Sequence, residues 1–354
     1  MTAKTAGAIR IGLIGCGTHG FGAVVPAMRT ARGVRLAAVA DLIPANLARL
    51  VDKSISKYTD YREMLSREKL DAVYIATRVE NHAAAALAAF KSGRHVITEK
   101  PMAASIGECR RMIAAARRAD KLLAVDFECR YIPGFRQIRA WIAAGHIGRI
   151  QAIHLDSMWD GHKIWGAIGE RRRRFCDSSG CLDCGIHKLD LARYFNGGGA
   201  WRDIRAFGAW FGERVKYPTH IAIMARLDTG ALVTVNASFA FTAYIRRRMR
   251  GAVFYEGLAI LGDKGVIVLH QSPDGKRYIE LAGEKLAKTI PFADHGHSSV
   301  ITLLLNDFAQ SIRTRAPLPC EIAAGEDGLA AQSCADEANR LAVKAGDSSR
   351  PRPA

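Results

Sequence analysis

A chain of 354 residues is too long for one small core and predicts about two domains. Its 49% hydrophobic and 24% charged residues exclude a disordered or fibrous protein, and no apolar run reaches the ~18 residues of a membrane span. The net charge of +17 favours anionic partners, but no helix-turn-helix, zinc-finger or aromatic RNA-binding signature accompanies it, so nucleic acid is not an expected partner.

The start, MTAKTAGAIRIGLIG, passes from a short apolar stretch straight into a Gly-rich turn, unlike a secretory signal. A cytoplasmic location is expected, with the eight cysteines (16, 109, 129, 176, 181, 184, 320, 334) as free thiols.

IRIGLI (9–14) is a strand pattern running into GCGTHG (Gly15–Gly20). FGAVVPAMRTARG follows as a helix stopped by Gly33, and RLAAVAD (35–41) is a second strand closing on Asp41. Gly15 permits a tight turn, Gly17 lets the backbone approach a pyrophosphate, and Gly20 lets the helix pack close to the strand. The helix N-terminus then offers free N–H groups to phosphate. Thr18 and His19, inside the turn, join the glycines as candidate cofactor contacts. Asp41 sits where a carboxylate can accept from the adenine ribose hydroxyls. A carboxylate there repels a 2′-phosphate, and Leu42-Ile43-Pro44 supplies no Arg to receive one, so NAD is expected over NADP.

The alternation continues through strand DAVYIAT (71–77), helix NHAAAALAAFKSG (81–93), strand RHVITEK (94–100), helix IGECRRMIAAARRADK (106–121) and strand LLAVDFE (122–128). This predicts an α/β domain over 1–125, a Rossmann doubly wound parallel sheet with helices on both faces. Thr77, Glu99 and Lys100 fall at carboxyl ends of strands, where such sheets bind ligands.

With EKPMA (99–103) the chain resembles the glucose–fructose oxidoreductase/inositol dehydrogenase family, Gfo/Idh/MocA. The resemblance rests on the GxGxxG strand, T-x-x-x-x-H (Thr77 to His82), EKP, and the stretch ECRYIPGFRQIRAWIAAGHIGRI (128–150). It extends through LDCGIHKLDLARYF (182–195), similar to a D-x-G-x-H-x-x-D motif, to EDGLAAQSCADEA (326–338). Two places depart from the family pattern, Arg78-Val79 after the Thr and Ser178-Ser179-Gly180 before the D-x-G-x-H.

Beyond residue 125 the pattern changes. QAIHLDSMW (151–159), IRAFGAWFG (204–212), THIAIMARL (219–227), ALVTVNASFAF (231–241), AVFYEGLAIL, GVIVLH and KRYIEL run apolar or alternate without intervening helices. LDTGAL (227–232) signals a hairpin. A C-terminal α+β domain over 126–345, with a large, mostly antiparallel open sheet, is predicted, and the resemblance implies the same. One face of such a sheet needs cover, so a homo-oligomer, dimer or tetramer, is expected. Residues 346–354 and about the first six are expected to be disordered.

CLDCGIHKLD (181–190) admits two readings. Asp183, His187 and Asp190 are spaced to share one helix face, a carboxylate beside an imidazole being the usual base with its orienter. Cys176, Cys181, Cys184 and His187 have spacings a structural zinc would accept, at the cost of the only residue well placed as base. The expectation is no metal, with the cysteines as small buried side chains. The resemblance implies Lys100, Asp183 and His187 as the catalytic group, with His187 as proton acceptor and Lys100 as polariser or relay, or the two roles exchanged. It also places His82 and Glu99 on the cofactor side. Substrate-side candidates are Arg130 and Tyr131 at a strand end, His162 and Lys163 in WDGHKIWG, and the run Arg171–Arg174 including Arg172, which would suit an anionic substrate.

The activity these features imply is NAD-dependent hydride transfer at a ring carbinol of a sugar, cyclitol or sugar derivative. Two alternatives stand beside it: a glycosidase using NAD in a transient oxidation without net turnover, and a non-catalytic NAD-binding regulator.

Overall fold

Ile9–Ile14 (β1) is buried at every position but one, as a strand covered on both faces must be. It is an interior strand of a seven-stranded sheet in a computed structural model that describes residues 7–159, 185–210, 216–239, 254–272, 274, 276–293 and 296–345. One π-helical turn, Gly20–Val24, leads without a break into α1 (Val25–Thr30), and Pro26, inside this continuous helical run, has no N–H to donate, at the place where the wider turn meets the α-helix. Then come β2 (Val34–Ala40), α2 (Pro44–Ala48), β3 (Ser56–Tyr58), α3 (Tyr61–Arg67), β4 (Ala72–Ile75), α4 (His82–Lys91), β5 (His95–Thr98), α5 (Ile106–Ala119) and β6 (Leu123–Val125). Ser105 caps α5, its Oγ accepting from the Glu108 N–H and donating to the Glu108 carboxylate, each at 3.3 Å.

The sheet order is β15-β6-β5-β4-β1-β2-β3, parallel except for β15 (Ala323–Ala324), which runs against β6. The strand order reverses between β1 and β4, the switch point where such sheets bind ligands.

Contacts divide the chain into two units, residues 1–132 with 295–329, and 133–294 with 330–354. The first is therefore discontinuous in sequence, unlike the single boundary at 125 expected from the pattern. The helix α8 (His297–Thr314) explains the difference. Its buried Val300, Ile301, Leu304, Leu305 and Phe308 complete the core around β1, β2 and α1, including Leu13, Val24, Met28 and Val39.

The second unit opens with α6 (Pro133–Ala143) and contains an eight-stranded sheet, order β14-β13-β12-β11-β7-β10-β9-β8. Its strands are β7 (Ile150–Trp159), β8 (Trp201–Ala209), β9 (His220–Leu227), β10 (Leu232–Ser238), β11 (Phe254–Gly262), β12 (Gly265–Gln271), β13 (Arg277–Gly283) and β14 (Ala287–Pro291). Every pairing is antiparallel except β7 with β10. The Asp228-Thr229-Gly230 turn joins β9 to β10, as LDTGAL predicts. Helix α7 (Ile186–Asn196) packs on β7 and ends at Gly197 in the left-handed region, φ 78°. The last helix, α9, spans Gly325–Ala345. No helix among the described residues is long and apolar enough to cross a membrane.

Candidate active site

The carboxyl edge of the first sheet carries the Gly-rich turn. Gly15 has φ 96°, and a Cβ there would lie 2.6 Å from the Ala76 carbonyl, so neither conformation nor space admits another residue. A Cβ on Gly20 would lie 2.2 Å from the Gly15 oxygen, which is the close approach of helix to turn. Gly17 differs: a Cβ there would meet nothing within 4 Å. Two glycines are thus required by the protein itself, and the middle one faces open space that a side chain would fill. That is the cradle a dinucleotide pyrophosphate needs.

Asp41 is fixed beside the turn. Its Oδ2 accepts from the Cys16 N–H (2.7 Å) and Asn46 Nδ2 (3.1 Å), and its Oδ1 from the Ile43 N–H (2.8 Å). Leu42 and Ile43, next along the chain, are exposed.

His82 is 1% exposed, and its ring nitrogens lie 3.1 Å from the Thr77 carbonyl and 3.0 Å from the Pro101 carbonyl. The ring latches together the segments that follow β4 and β5. Thr77 donates from its hydroxyl to the Arg78 carbonyl.

Glu99 continues β5, donating its N–H to the Ile75 carbonyl, and the half-buried Lys100 follows it. Glu99 Oε1 accepts from the Tyr74 hydroxyl at 2.8 Å and lies 2.8 Å from His19 Nε2. The Tyr74 hydroxyl also bonds Asp126 Oδ2, and His297 Nδ1 lies 3.1 Å from Glu128 Oε1. The His19 and His297 rings meet edge to face, centroids 6.1 Å apart. Burial disfavours a charge on His19, but the Glu99 carboxylate overrides it and raises the imidazole to about 9. Burial likewise opposes the Glu99 charge, and His19 still holds that carboxyl below its ordinary value. Asp126 is pushed the other way by burial and by the charges of Glu99 and Glu128. His19, Glu99 and Asp126 each bring a ligand-type atom within 4.8 Å of one another, a closeness that the Tyr74 and His19 contacts account for without a metal.

The turn, Asp41, Thr77, Glu99 and Lys100 therefore all stand at one sheet edge, as their strand-end positions predict. Tyr74, Asp126, Glu128 and His297 were not foreseen. Tyr74 hides in an apolar strand, and His297 lies some 170 residues beyond its partner, on the helix that returns to this unit. Arg130 is 3% exposed, bonding the Cys320 carbonyl at 2.9 Å and Asp327 at 3.3 Å. Tyr131, fully buried, donates to Asp307 at 2.8 Å. Both side chains are engaged inside the first unit.

In the second unit His187 and Asp190 lie three residues apart on α7, His187 half-buried and Asp190 fully buried. Gly185 is the helix N-cap. Asp183, Cys176, Cys181, Cys184, His162, Lys163 and Arg171–Arg174 lie outside the described residues.

Two family models match. Residues 9–127 fit an oxidoreductase family with an NAD-binding Rossmann fold, and residues 135–268 fit the GFO/IDH/MocA C-terminal domain. The chain belongs to the Gfo/Idh/MocA family. Among Gfo/Idh/MocA-like curated proteins it is 30% identical over 192 residues to a 1,5-anhydro-D-fructose reductase of Ensifer adhaerens, covering 52% of this chain and 56% of that protein. It is 29% identical over 150 residues to an inositol 2-dehydrogenase of Salmonella typhimurium, covering 41% and 45%. The chain thus spans about half the length of the curated relatives it matches. An Agrobacterium radiobacter oxidoreductase crystallised with NAD+, L-tartaric acid and magnesium superposes with a TM-score of 0.81 at 21% identity, covering 96% of this chain and 97% of that one. At that identity the likeness is one of fold.

Proposed function

We propose that this protein is an NAD-dependent oxidoreductase acting on a ring carbinol of a sugar, cyclitol or sugar derivative. The observation that carries the proposal is the open cradle at Gly17 beside a fixed Asp41, at the same sheet edge as Glu99-Lys100. The names of two curated relatives, a 1,5-anhydro-D-fructose reductase and an inositol 2-dehydrogenase, agree with it.

Bound NAD would supply the hydride acceptor or donor. The chain's own residues do the rest. Helix-start N–H groups and the bare Gly17 face would take the pyrophosphate, and Asp41 Oδ1, holding one donor, would accept from a ribose hydroxyl. Oxidation also needs a proton taken from the substrate hydroxyl. The family resemblance gives that work to Lys100, Asp183 and His187, an ammonium to stabilise developing alkoxide charge and an imidazole oriented by a carboxylate. Arg172 and its neighbours would then select an anionic substrate over a neutral one.

A screen of sugars, cyclitols and their uronic or phosphorylated derivatives, following NADH absorbance, tests the proposal. One NADH per product is expected, and Lys100→Met or His187→Ala should lower turnover by about two orders of magnitude with little change in NAD affinity. Glycoside cleavage without net NADH would instead support the transient-oxidation alternative. Full turnover in His187→Ala would remove that residue from the chemistry.

A further inference from the structure

Tyr74 has one hydroxyl hydrogen and two carboxyl contacts. Its oxygen lies 2.8 Å from Glu99 Oε1 and closer still to Asp126 Oδ2. Tyr74 and Asp126 are both fully buried. If both acids were ionised, one of these two O···O contacts would hold no hydrogen, setting a lone pair against a lone pair where no solvent can intervene. A second hydrogen therefore belongs in the pair of contacts. Glu99 already faces a cationic partner in His19, 2.8 Å away. Asp126 faces none at bonding distance among the described residues, and its other oxygen, Oδ1, has no hydrogen-bond partner there. The extra hydrogen is accounted for most simply on Asp126.

We infer that Asp126 is a carboxylic acid in the folded protein, donating to the Tyr74 oxygen while Tyr74 donates to Glu99. The two thereby act as positioning residues for the strand end that carries Lys100. The positioning half rests on the role proposed for Lys100; the protonation does not.

The neighbouring carboxylates favour the assignment, and the His19 charge, within 4.8 Å of Asp126, opposes it without forming a bond to it. Tyr74 from β4 donates to Glu99 Oε1, and His19 from the Gly-rich turn lies 2.8 Å from the same oxygen as an ion-pair neighbour without hydrogen-bond alignment, so that carboxylate is approached from two elements at once. Glu128 and Glu99 surround Asp126 with negative charge, and burial adds to their effect in favouring its neutral form. His297 from α8 pairs with Glu128, and Lys100 follows Glu99 directly. The order AspH126, Tyr74, Glu99, His19 then leaves no donor facing a donor and no acceptor facing an acceptor.

The test is infrared difference spectroscopy on the full chain without added cofactor, at pH 6 to 8. A protonated-carboxyl C=O band is expected in the wild type, lost in Asp126→Asn and displaced in Tyr74→Phe, which removes the acceptor. A wild type without that band, a band that survives in Asp126→Asn, or one unmoved in Tyr74→Phe overturns the protonation. These readouts need no substrate and stand whether or not the oxidoreductase proposal holds. For positioning, an asparagine amide can still donate to the phenol oxygen and an alanine cannot. Asp126→Ala should lower kcat by about tenfold or more, with the NAD KM moving less than about threefold, and Asp126→Asn should recover most of the loss. Should the alanine variant not fold, Tyr74→Phe is expected to show the same split. Equal losses in Asn and Ala variants, or a KM effect in place of a kcat effect, overturn the positioning half.

Discussion

At the residue scale, Asp41 shows how one carboxylate can serve a turn and a ligand together. Two of its three donors are backbone N–H groups, so Asp41→Ser would loosen the turn as well as remove a charge. NAD is expected to bind at least about tenfold more tightly than NADP, a gap of ~1.4 kcal/mol, and the serine variant should narrow it. Equal wild-type affinities in a titration would refute this. His19 makes a second prediction. It holds its proton more tightly folded, at about 9, than at the ordinary 6.5. Its contribution to stability is complete below pH 6.5 and is lost as pH rises through 9. Asp126, also raised, acts in the same sense. The cofactor-free chain should therefore lose thermal stability between pH 6.5 and 9, and His19→Gln should flatten that slope; an unchanged slope would show that the ion pair does not govern it. The turn and Asp41 were legible because each needs a residue type at a fixed spacing from a strand end. The inward engagement of Arg130 and Tyr131 was not legible, since their partners Cys320, Asp327 and Asp307 are close only in space.

At the element scale, alternation made the second sheet readable. HIAIMARL alternates strictly, its second, fourth, sixth and eighth residues buried, and RYIELAG buries its first, third and fifth. The strand AKTIP has no buried position and offered no such signal. Helix α8 carries an apolar stripe in its sequence, but nothing in that stripe says which unit it completes, because its partners on α1 lie about 270 residues earlier. What ties α7 to its sheet is equally non-local. Glu256 on β11 bonds Lys188 of α7 and, at 3.0 Å, Arg277 of β13, with all three side chains at 10% exposure or less. Removing this carboxylate takes a shared partner from two buried cations at once. Glu256→Ala should cost about 3–5 kcal/mol in urea unfolding, whereas Lys188→Met, which leaves the Glu256–Arg277 pair intact, should cost less. A loss below about 1 kcal/mol for Glu256→Ala would mean that solvent already screens the triad.

At the scale of the whole molecule, the second sheet has one face buried by Ile153, Leu155, Val233, Val235, Ile260, Ile267 and Ile279, and another that, among the described residues, is open around Leu232, Leu261, Met224 and Phe207. The pairing registers place Leu232, Ala152, Leu261, Val266, Ala282 and Ala287 side by side on the open face, one residue from each of six adjacent strands. Toward the β8 edge the same face carries Phe207, 68% exposed, and Met224, 56% exposed. A row of this kind crossing a sheet is a larger apolar feature than scattered surface leucines, and such patches mark association surfaces. The homo-oligomer expected from the sequence would set a second copy of the chain here, since a twofold contact would lay the same row against itself. The net charge of +17 opposes such pairing through general repulsion, so association should strengthen with added salt, where a contact built on ion pairs would weaken. Sedimentation of the wild type at micromolar concentration should show a dimer or larger closed assembly, and Leu232→Glu with Leu261→Glu should shift it to monomer. Both substitutions sit on the solvent-facing side of their strands, so the fold should persist, as far-ultraviolet circular dichroism would register. A monomeric wild type, or an assembly indifferent to the two glutamates, would leave this sheet face without the role assigned to it.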